Sequence, residues 1–457
     1  MFSAFALAIA LTVPATAQAA GEAESKAWTL EALTQVAQAA DPRVLAAAAE
    51  LARMRGLEAE ARAGHRPTLD WLVLAEPVPQ LQNDPDHLDA VNPSSRLRNG
   101  QLGGVGVHTH AGANLTWPVY TFGRVGAYER AAERAVSASG GAAQAAKARA
   151  ARDAAEIFWG YQLARRGLVS LDETDRQLAA ARERVDRLVA EGSKQATKQD
   201  LAQLDTVRAE LAARRVEVSA ARDLALEAGR AVAGVASDAP FSFAAAQLEP
   251  PALQLAPLGR YVDAALSLRP ELAAARDTVA AREATVLGRR RAAYPELVVW
   301  SYVDLNWTGA NTAQTNPFAW DPYNRLWAGL GIALRGSLDP WRSTAQLRQG
   351  EAEAEKARAE LEAAERATRL EVARAHSTLR AAQERGARLR EEEAAARRWL
   401  SQAEGSFDAG LTDARAVLLA ALASARAGAD RLAAARDAQL AYAELTLAVG
   451  DDPKTIK

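Results

Sequence analysis

Along residues 104–119, GVGVHTHAGANLTWPV, apolar and polar positions alternate without a slip. Val105, Val107, Thr109, Ala111, Ala113, Leu115, Trp117 and Val119 fall on one face of an extended chain. Gly106, His108, His110, Gly112, Asn114 and Thr116 fall on the other. Period two over this length predicts a strand longer than globular proteins usually use. Residues 326–334 repeat the pattern with Leu326, Ala328, Leu330, Ile332 and Leu334. An apolar face opposite a polar, Gly-containing one suits a barrel strand with lipid outside and water inside. Two more arms, PTLDWLVLAEPV and YPELVVWSYVDLNW, are strand-like but apolar on both faces near their starts. Alternation alone leaves their orientation open.

Elsewhere the period is helical. Ala-rich helices are expected at 41–65 and 269–293, each ending before a proline, Pro67 or Pro295. Strand and loop regions follow at 66–121 and 294–339, then very long helices at 124–190 and 341–408. Gly192 and Gly410 mark turns into last helices at 195–234 and 412–449. Asp339 and Pro340 supply an N-cap and a first-turn proline for the second long helix. A helix of this length rises about 100 Å. The two shorter helices of each set, end to end, match one long helix, so each set builds a two-rod hairpin. Leu163, Leu171, Leu178 and Val185 form a heptad-like seam on the first rod.

The order of parts occurs twice. Pro270 and Pro295 follow Pro42 and Pro67 at one common interval. Arg342 and Gly410 follow Arg124 and Gly192 at a second, slightly shorter one. The chain therefore divides into a leader (1–19), a first repeat (20–234), a linker (235–260), a second repeat (261–450) and a tail (451–457).

Composition narrows the function. Aromatics are 6% of the 457 residues, charged residues 25%, and cysteine is absent, which excludes disulfides and a lipidated N-terminal cysteine. An Ala/Glu/Arg/Leu chain of helical period points to long helices rather than a compact enzyme core. The formal net charge of −2, with no dense basic run, gives no footprint for nucleic acid. The apolar stretch Phe5 to Val13, followed by Ala17, Gln18 and Ala19, reads as a secretory signal, although its start lacks a basic residue. Five histidines occur; His108 and His110 share a strand face and read as pore lining rather than metal ligands. No nucleotide loop, nucleophile elbow or zinc-protease motif is present. No enzyme activity, cofactor or metal is expected.

Seven of the ten tryptophans lie in the strand regions or, as Trp341 does, just beyond them, as interfacial girdles require. Trp117, Tyr120 and Trp341 are the candidate membrane-interface aromatics. Four strands cannot close a spanning barrel, and open sheet edges are not tolerated in lipid, so a membrane reading requires several copies.

Three segments in order resemble the TolC family of outer-membrane efflux proteins. They are WTLEALTQVAQAADPRVLAAAAE, then LTWPVYTFGRVGAYERAAERAV, then FDAGLTDARAVLLA. The resemblance implies a mainly α fold with a membrane β-barrel part. Three copies would give a twelve-strand barrel in the outer membrane and an α-helical barrel through the periplasm. It also implies a homotrimer, a periplasmic adaptor, an inner-membrane pump, and passive export of small molecules, metals or proteins. Tip turns and adaptor-docking candidates are Gly192, Phe407, Gly410, Leu411 and Thr412. The family's acidic pair beyond the second glycine is replaced by Ala416 and Leu419. Asp200, Asp408 and Asp413 are therefore the candidates for a gate. The alternative is a secreted periplasmic coiled-coil adaptor or scaffold with a small β-subdomain.

Overall fold

The computed structural model describes residues 27–80, 103–236, 238–310, 321 and 323–456. The expected leader with its cleavage site, His87 and Trp320 lie outside them. The elements are α1 (Leu30–Ala40), α2 (Pro42–Ala63), β1 (Thr68–Gln80), β2 (Gly103–Tyr120), α3 (Arg124–Ala190) and α4 (Lys198–Ala233), followed by α5 (Leu258–Leu268), α6 (Pro270–Arg291), β3 (Glu296–Thr308), β4 (Arg325–Arg335), α7 (Pro340–Asp408) and α8 (Ala414–Val449). Helices α1 and α5 are not among the expected elements, although both are amphipathic. Each is a short helix that stops two residues before Pro42 or Pro270. Asp41 and Arg269 take ψ values of 129° and 120°, the extended geometry that a following proline imposes. Asp41 then turns its carboxylate onto the Arg43 amide at 2.7 Å and its guanidinium at 2.7 Å. That hydrogen bond from the Arg43 side chain holds the Asp41 carboxyl below the usual carboxylate range.

The chain forms two compact units that cut across the repeats. The first comprises residues up to 45, 145–269 and 368–457. Two of its cores are the same motif built twice. Leu33, Ala37 and Val44 pack with Ala150, Ala154 and Phe158 against Phe241 and Phe243. Tyr261 and Ala265 pack with Val372, Ala375 and Leu379 against Ala441, Leu445 and Val449. Leu33 and Tyr261 are spaced as Pro42 and Pro270 are, and Ala154 and Val372 as Arg124 and Arg342 are. Both sequence intervals thus recur in the packing. In the first core Gln162, fully buried, donates to Ala244 O at 2.7 Å. In the second, His376 Nε2 lies 3.1 Å from Ala256 O. Each bond supplies a linker carbonyl with a partner.

The second unit comprises residues 46–144 and 270–367. Its sheet is antiparallel in the order β1-β2-β3-β4. In the same unit, α3, α6 and α7 meet through small residues and ion pairs rather than a broad apolar seam. A Cβ added at Gly141 would sit 2.7 Å from Pro270 O, so the glycine is what lets α3 approach α6. Arg134–Asp277 at 2.9 Å, Arg282–Glu353 at 3.2 Å and Arg358–Glu283 at 2.7 Å tie these helices together. This is where the alternating Ala, Glu and Arg of the sequence go. Among the described residues no helix is long and apolar enough to cross a membrane.

Candidate functional site

The sheet has two chemically distinct faces, and pairing settles what alternation left open. Trp71 stands opposite Ala113, Ala113 opposite Val303, and Val303 opposite Ala328. Val73, Ala111, Leu305 and Leu326 form the next such row. The apolar face of β1 is thus Leu69, Trp71 and Val73, and that of β3 is Val299, Val303, Leu305 and Trp307. It is continuous across four strands, and it is exposed: Leu330 retains 79% of its accessible surface and Trp71 73%. Among the described residues each strand packs on its neighbours in the sheet. A continuous apolar surface of this kind marks a membrane or partner site, since soluble monomers do not leave one open.

The opposite face is polar. His108 Nδ1 lies 3.1 Å from Glu76 Oε1, and His110 Nδ1 lies 3.0 Å from Asn306 Oδ1. Tyr323 packs edge-on against His108. Thr308, buried, donates to Val107 O at 2.8 Å and accepts from the Ala310 amide at 3.1 Å. Among the described residues no group of three His, Cys, Asp or Glu is placed to hold a metal ion.

Where sheet becomes helix, the segment YTFGR makes the turn. Pairing slips between Pro118 and Tyr120, a bulge at the residue that cannot donate to the ladder. Phe122 and Gly123 then take φ of 51° and 76°. For a bulky residue such as Phe122 that conformation costs about 1–3 kcal/mol. Gly123 has a second reason to lack a side chain, because a Cβ there would meet Arg291 at 2.3 Å. Arg291 in turn donates to Gly123 O at 3.1 Å. Arg124, the first helical residue, is ion-paired to Glu296, which Arg335 also holds at 2.7 Å. The start of α3, the start of β3 and the end of β4 are thereby joined at one buried carboxylate. Sequence reading marked Arg124 but missed Glu296, Arg291 and Arg335; the excess of arginine flanking the strands was the available signal. Trp117 and Tyr120, 45% and 56% exposed, sit at this level, and Trp341 is 83% exposed. Trp117 Nε1 donates to His65 O at 3.1 Å.

In the first unit the two tip turns lie side by side. Gly192 and Gly410 have φ of 73° and 75°, and both close helix ends in the same way. Ser193 N donates to Leu188 O at 2.9 Å and Leu411 N to Ser406 O at 2.9 Å, the six-to-one bond of a glycine C-cap. Gln195, unmarked by its sequence context, bridges the turns: its Nε2 donates to Phe407 O at 3.3 Å and its carbonyl accepts from Ala414 N at 3.1 Å. Beneath them Leu178, Val185, Leu204, Phe407 and Leu418 form a small core. Phe407 is buried, with the Arg184 guanidinium 4.8 Å from its ring centroid. Gly192, Gly410 and Leu411 are exposed and Thr412 is half-buried.

The three candidate gate aspartates each have a local partner. Asp200 closes a capping box with Thr197, accepting from its amide at 2.8 Å. Asp413 caps α8 through Ala416 N at 3.0 Å. Asp408 is ion-paired to Arg184. Above the tip, Arg182–Asp205 at 2.6 Å and Arg208–Asp175 at 3.0 Å clamp α3 to α4. The Arg182 hydrogen bond holds the Asp205 carboxyl below its usual range.

Residues 261–451 match the family model described as outer membrane efflux protein. No curated protein sequence matches the chain. Solved structures similar to it include CusC, with a TM-score of 0.74 and 16% identity over 92% of each chain. A membrane protein from Pseudomonas aeruginosa gives 0.73 and 21% identity, over 92% of this chain and 90% of that one. The open state of the MtrE outer membrane channel of Neisseria gonorrhoeae gives 0.70 and 16%, over 93% and 89%. At these identities the likeness establishes a shared fold, with long helices and a four-stranded antiparallel sheet, along almost the whole length.

Proposed function

We propose that this chain, whose second repeat belongs to the outer membrane efflux protein family, is the outer-membrane channel of a tripartite efflux or type I secretion assembly. The family consists of conduits, not enzymes. The observation that carries the reading is the sheet: among the described residues it has two edges without a partner strand, β1 and β4, and an exposed apolar face. In lipid both edges must pair. Because neighbours alternate in direction, β4 of one copy can pair antiparallel with β1 of the next. Three copies give twelve strands, within the range that closed barrels use. The polar face then lines a wet lumen.

Helix α3, at 67 residues, has about 100 Å of rise, enough to carry the conduit well away from the membrane into the periplasm. The exposed tip, with Gly192, Gly410 and Leu411, is the part a periplasmic adaptor would meet, and an inner-membrane pump would supply the energy. Gating is an outward movement of the tip hairpins. The contacts to be released within a subunit are the Arg184–Asp408 ion pair and the Gln195 bridge, and Asp200 and Asp413 hold the helix starts during the movement.

The test uses the absence of cysteine. Cysteine pairs placed along β1 and β4 should cross-link into trimers on oxidation of outer-membrane fractions. Leu115→Arg should prevent assembly, since arginine on a lipid-facing strand costs about 2–4 kcal/mol near the midplane. A protein recovered as a soluble periplasmic monomer, indifferent to Leu115→Arg, would overturn the reading.

A further inference from the structure

The chain passes between sheet and helix four times, at residues 62–68, 120–126, 289–296 and 335–342. Together these short segments hold eight arginines and two carboxylates, in a chain whose totals are 55 basic and 57 acidic residues. Both carboxylates are occupied. Glu296 is buried between Arg124 and Arg335, and Asp339 caps α7 through the Arg342 amide at 3.0 Å. Arg62, Arg289 and Arg290 reach back to carboxylates on the helices, at Glu58, Glu353 and Glu351. Arg291 reaches only the Gly123 carbonyl, and among the described residues no carboxylate pairs with Arg342. Among the described residues Arg66, Arg291 and Arg342 are therefore left without a carboxylate partner, and of these Arg291 reaches the Phe122–Gly123 turn and Arg342 follows the exposed Trp341.

Exposed aromatic rings lie at the same level. Tyr120 meets Phe122 edge-on with centroids 4.8 Å apart, and Phe122 stacks on Tyr294 at 5.8 Å. All three rings are exposed, as is Trp341 beside Arg342. Phe122 adopts a left-handed backbone that bulky residues rarely take, in a place where the ring gains little burial within the chain. Strained, exposed rings next to unneutralised guanidiniums fit the boundary where acyl chains meet headgroups.

We propose that Arg291 and Arg342, with the Tyr120–Phe122–Tyr294 cluster, form a collar that binds the phosphates of anionic phospholipid headgroups in the periplasmic leaflet. Guanidinium pairs bidentately with phosphate, and the rings lie against the adjoining glycerol and upper acyl chains. This rests on the channel reading, because only that reading puts the sheet in a bilayer.

The experiment compares purified protein in bilayer discs of phosphatidylcholine alone and of phosphatidylcholine mixed with phosphatidylglycerol. Retained lipid is counted by native mass spectrometry. Phosphatidylglycerol should be preferred about fivefold per arginine, so about 25-fold for the pair. Arg291→Ala with Arg342→Ala should bring the preference to parity, and Lys at both positions should keep most of it. Arg342→Gln alone, at the start of a helix and away from any ion pair, leaves the fold intact and should lose about fivefold. Equal retention of both lipids by the unmodified protein overturns the collar. So does a preference that survives Arg342→Gln and the double alanine change, or displacement by inorganic phosphate, which would mark an ion site. Failure to enter any bilayer sinks the channel reading instead; a conducting channel without lipid preference sinks only the collar.

Discussion

Helices α4 and α8 hold the same place in the two repeats, and each is 36 residues long. Their surroundings differ. Along α8, eleven residues are buried, mostly alanines; along α4 only Leu204 and Gly229 are. At equivalent positions counted from the helix starts, Ala434 is buried and Val218 half-buried, while Val216 of α4 is 70% exposed. Helix α8 is enclosed by its own chain: Glu444 meets Arg152 of α3 at 2.6 Å, and Arg431 meets Glu393 of α7 at 2.6 Å. Helix α4 is clamped to α3 by Arg–Asp pairs but faces α8 across a groove of about 930 Å³ lined by residues such as Leu171, Leu211 and Leu422. The two helices share length and a left-handed glycine at the end, but not neighbours. The uncovered apolar positions of α4, Val216 and Leu224, are surface that only further copies or water can meet.

The sharpest way to break the contrast is to place the same charge on the enclosed side of α8 and on the open side of α4. Ala434→Arg buries an unpaired cation among tightly packed helices and should cost about 3–5 kcal/mol, seen as a large fall in the thermal midpoint. Val216→Arg should change the fold's stability by less than about 0.5 kcal/mol, the range for surface substitutions. Equal losses at both sites would mean that α4 is as enclosed as α8.

The caps provide a control in which the repeats should agree. A Cβ at Gly192 meets nothing, and at Gly410 only Gln195 Nε2 at 3.5 Å, so backbone geometry alone sets the cost. Alanine at either should cost about 1–2 kcal/mol by denaturant titration, the penalty for a left-handed L-residue. A clear difference between them would show that the Gln195 bridge makes the second tip stiffer.

The smallest effect distinguishes the clamps. Arg182 depresses the Asp205 carboxyl in the folded state, so this contribution is complete above the ordinary aspartate range and is lost as pH falls through the lowered folded value. Hydrogen exchange in the α3–α4 hairpin should therefore rise only in strong acid, below about pH 4. Arg182→Ala should remove that acid step. Both groups are exposed, so added salt should weaken the clamp.

Much of the architecture is legible without coordinates, because its signals are local. Strict alternation assigns the faces of β2, and the 3.6-residue period with a glycine at either end delimits α3, which runs over Arg124–Ala190. The seam residues Leu178 and Val185 are buried in the tip core, as their spacing implies, while Leu163 and Leu171 line the groove instead. The short helices α1 and α5 are legible too: apolar residues recur at helical spacing in each, as Leu30, Leu33 and Ala37 or Leu258, Tyr261 and Ala265, and the proline that follows sets the boundary.

By itself the sequence determined the duplication, the kinds of element and the joins between them, since propensity, alternation and capping act over a few residues. Only the tertiary structure decided which faces of β1 and β3 are apolar, because both strands carry apolar residues on both sides and pairing with β2 and β4 selects one. Only it brought Glu296 to Arg124 across 172 positions of chain and joined the two tips through Gln195. It also enclosed α8 while leaving α4 open. Burial and ion pairing depend on partners distant in sequence, which no local pattern encodes.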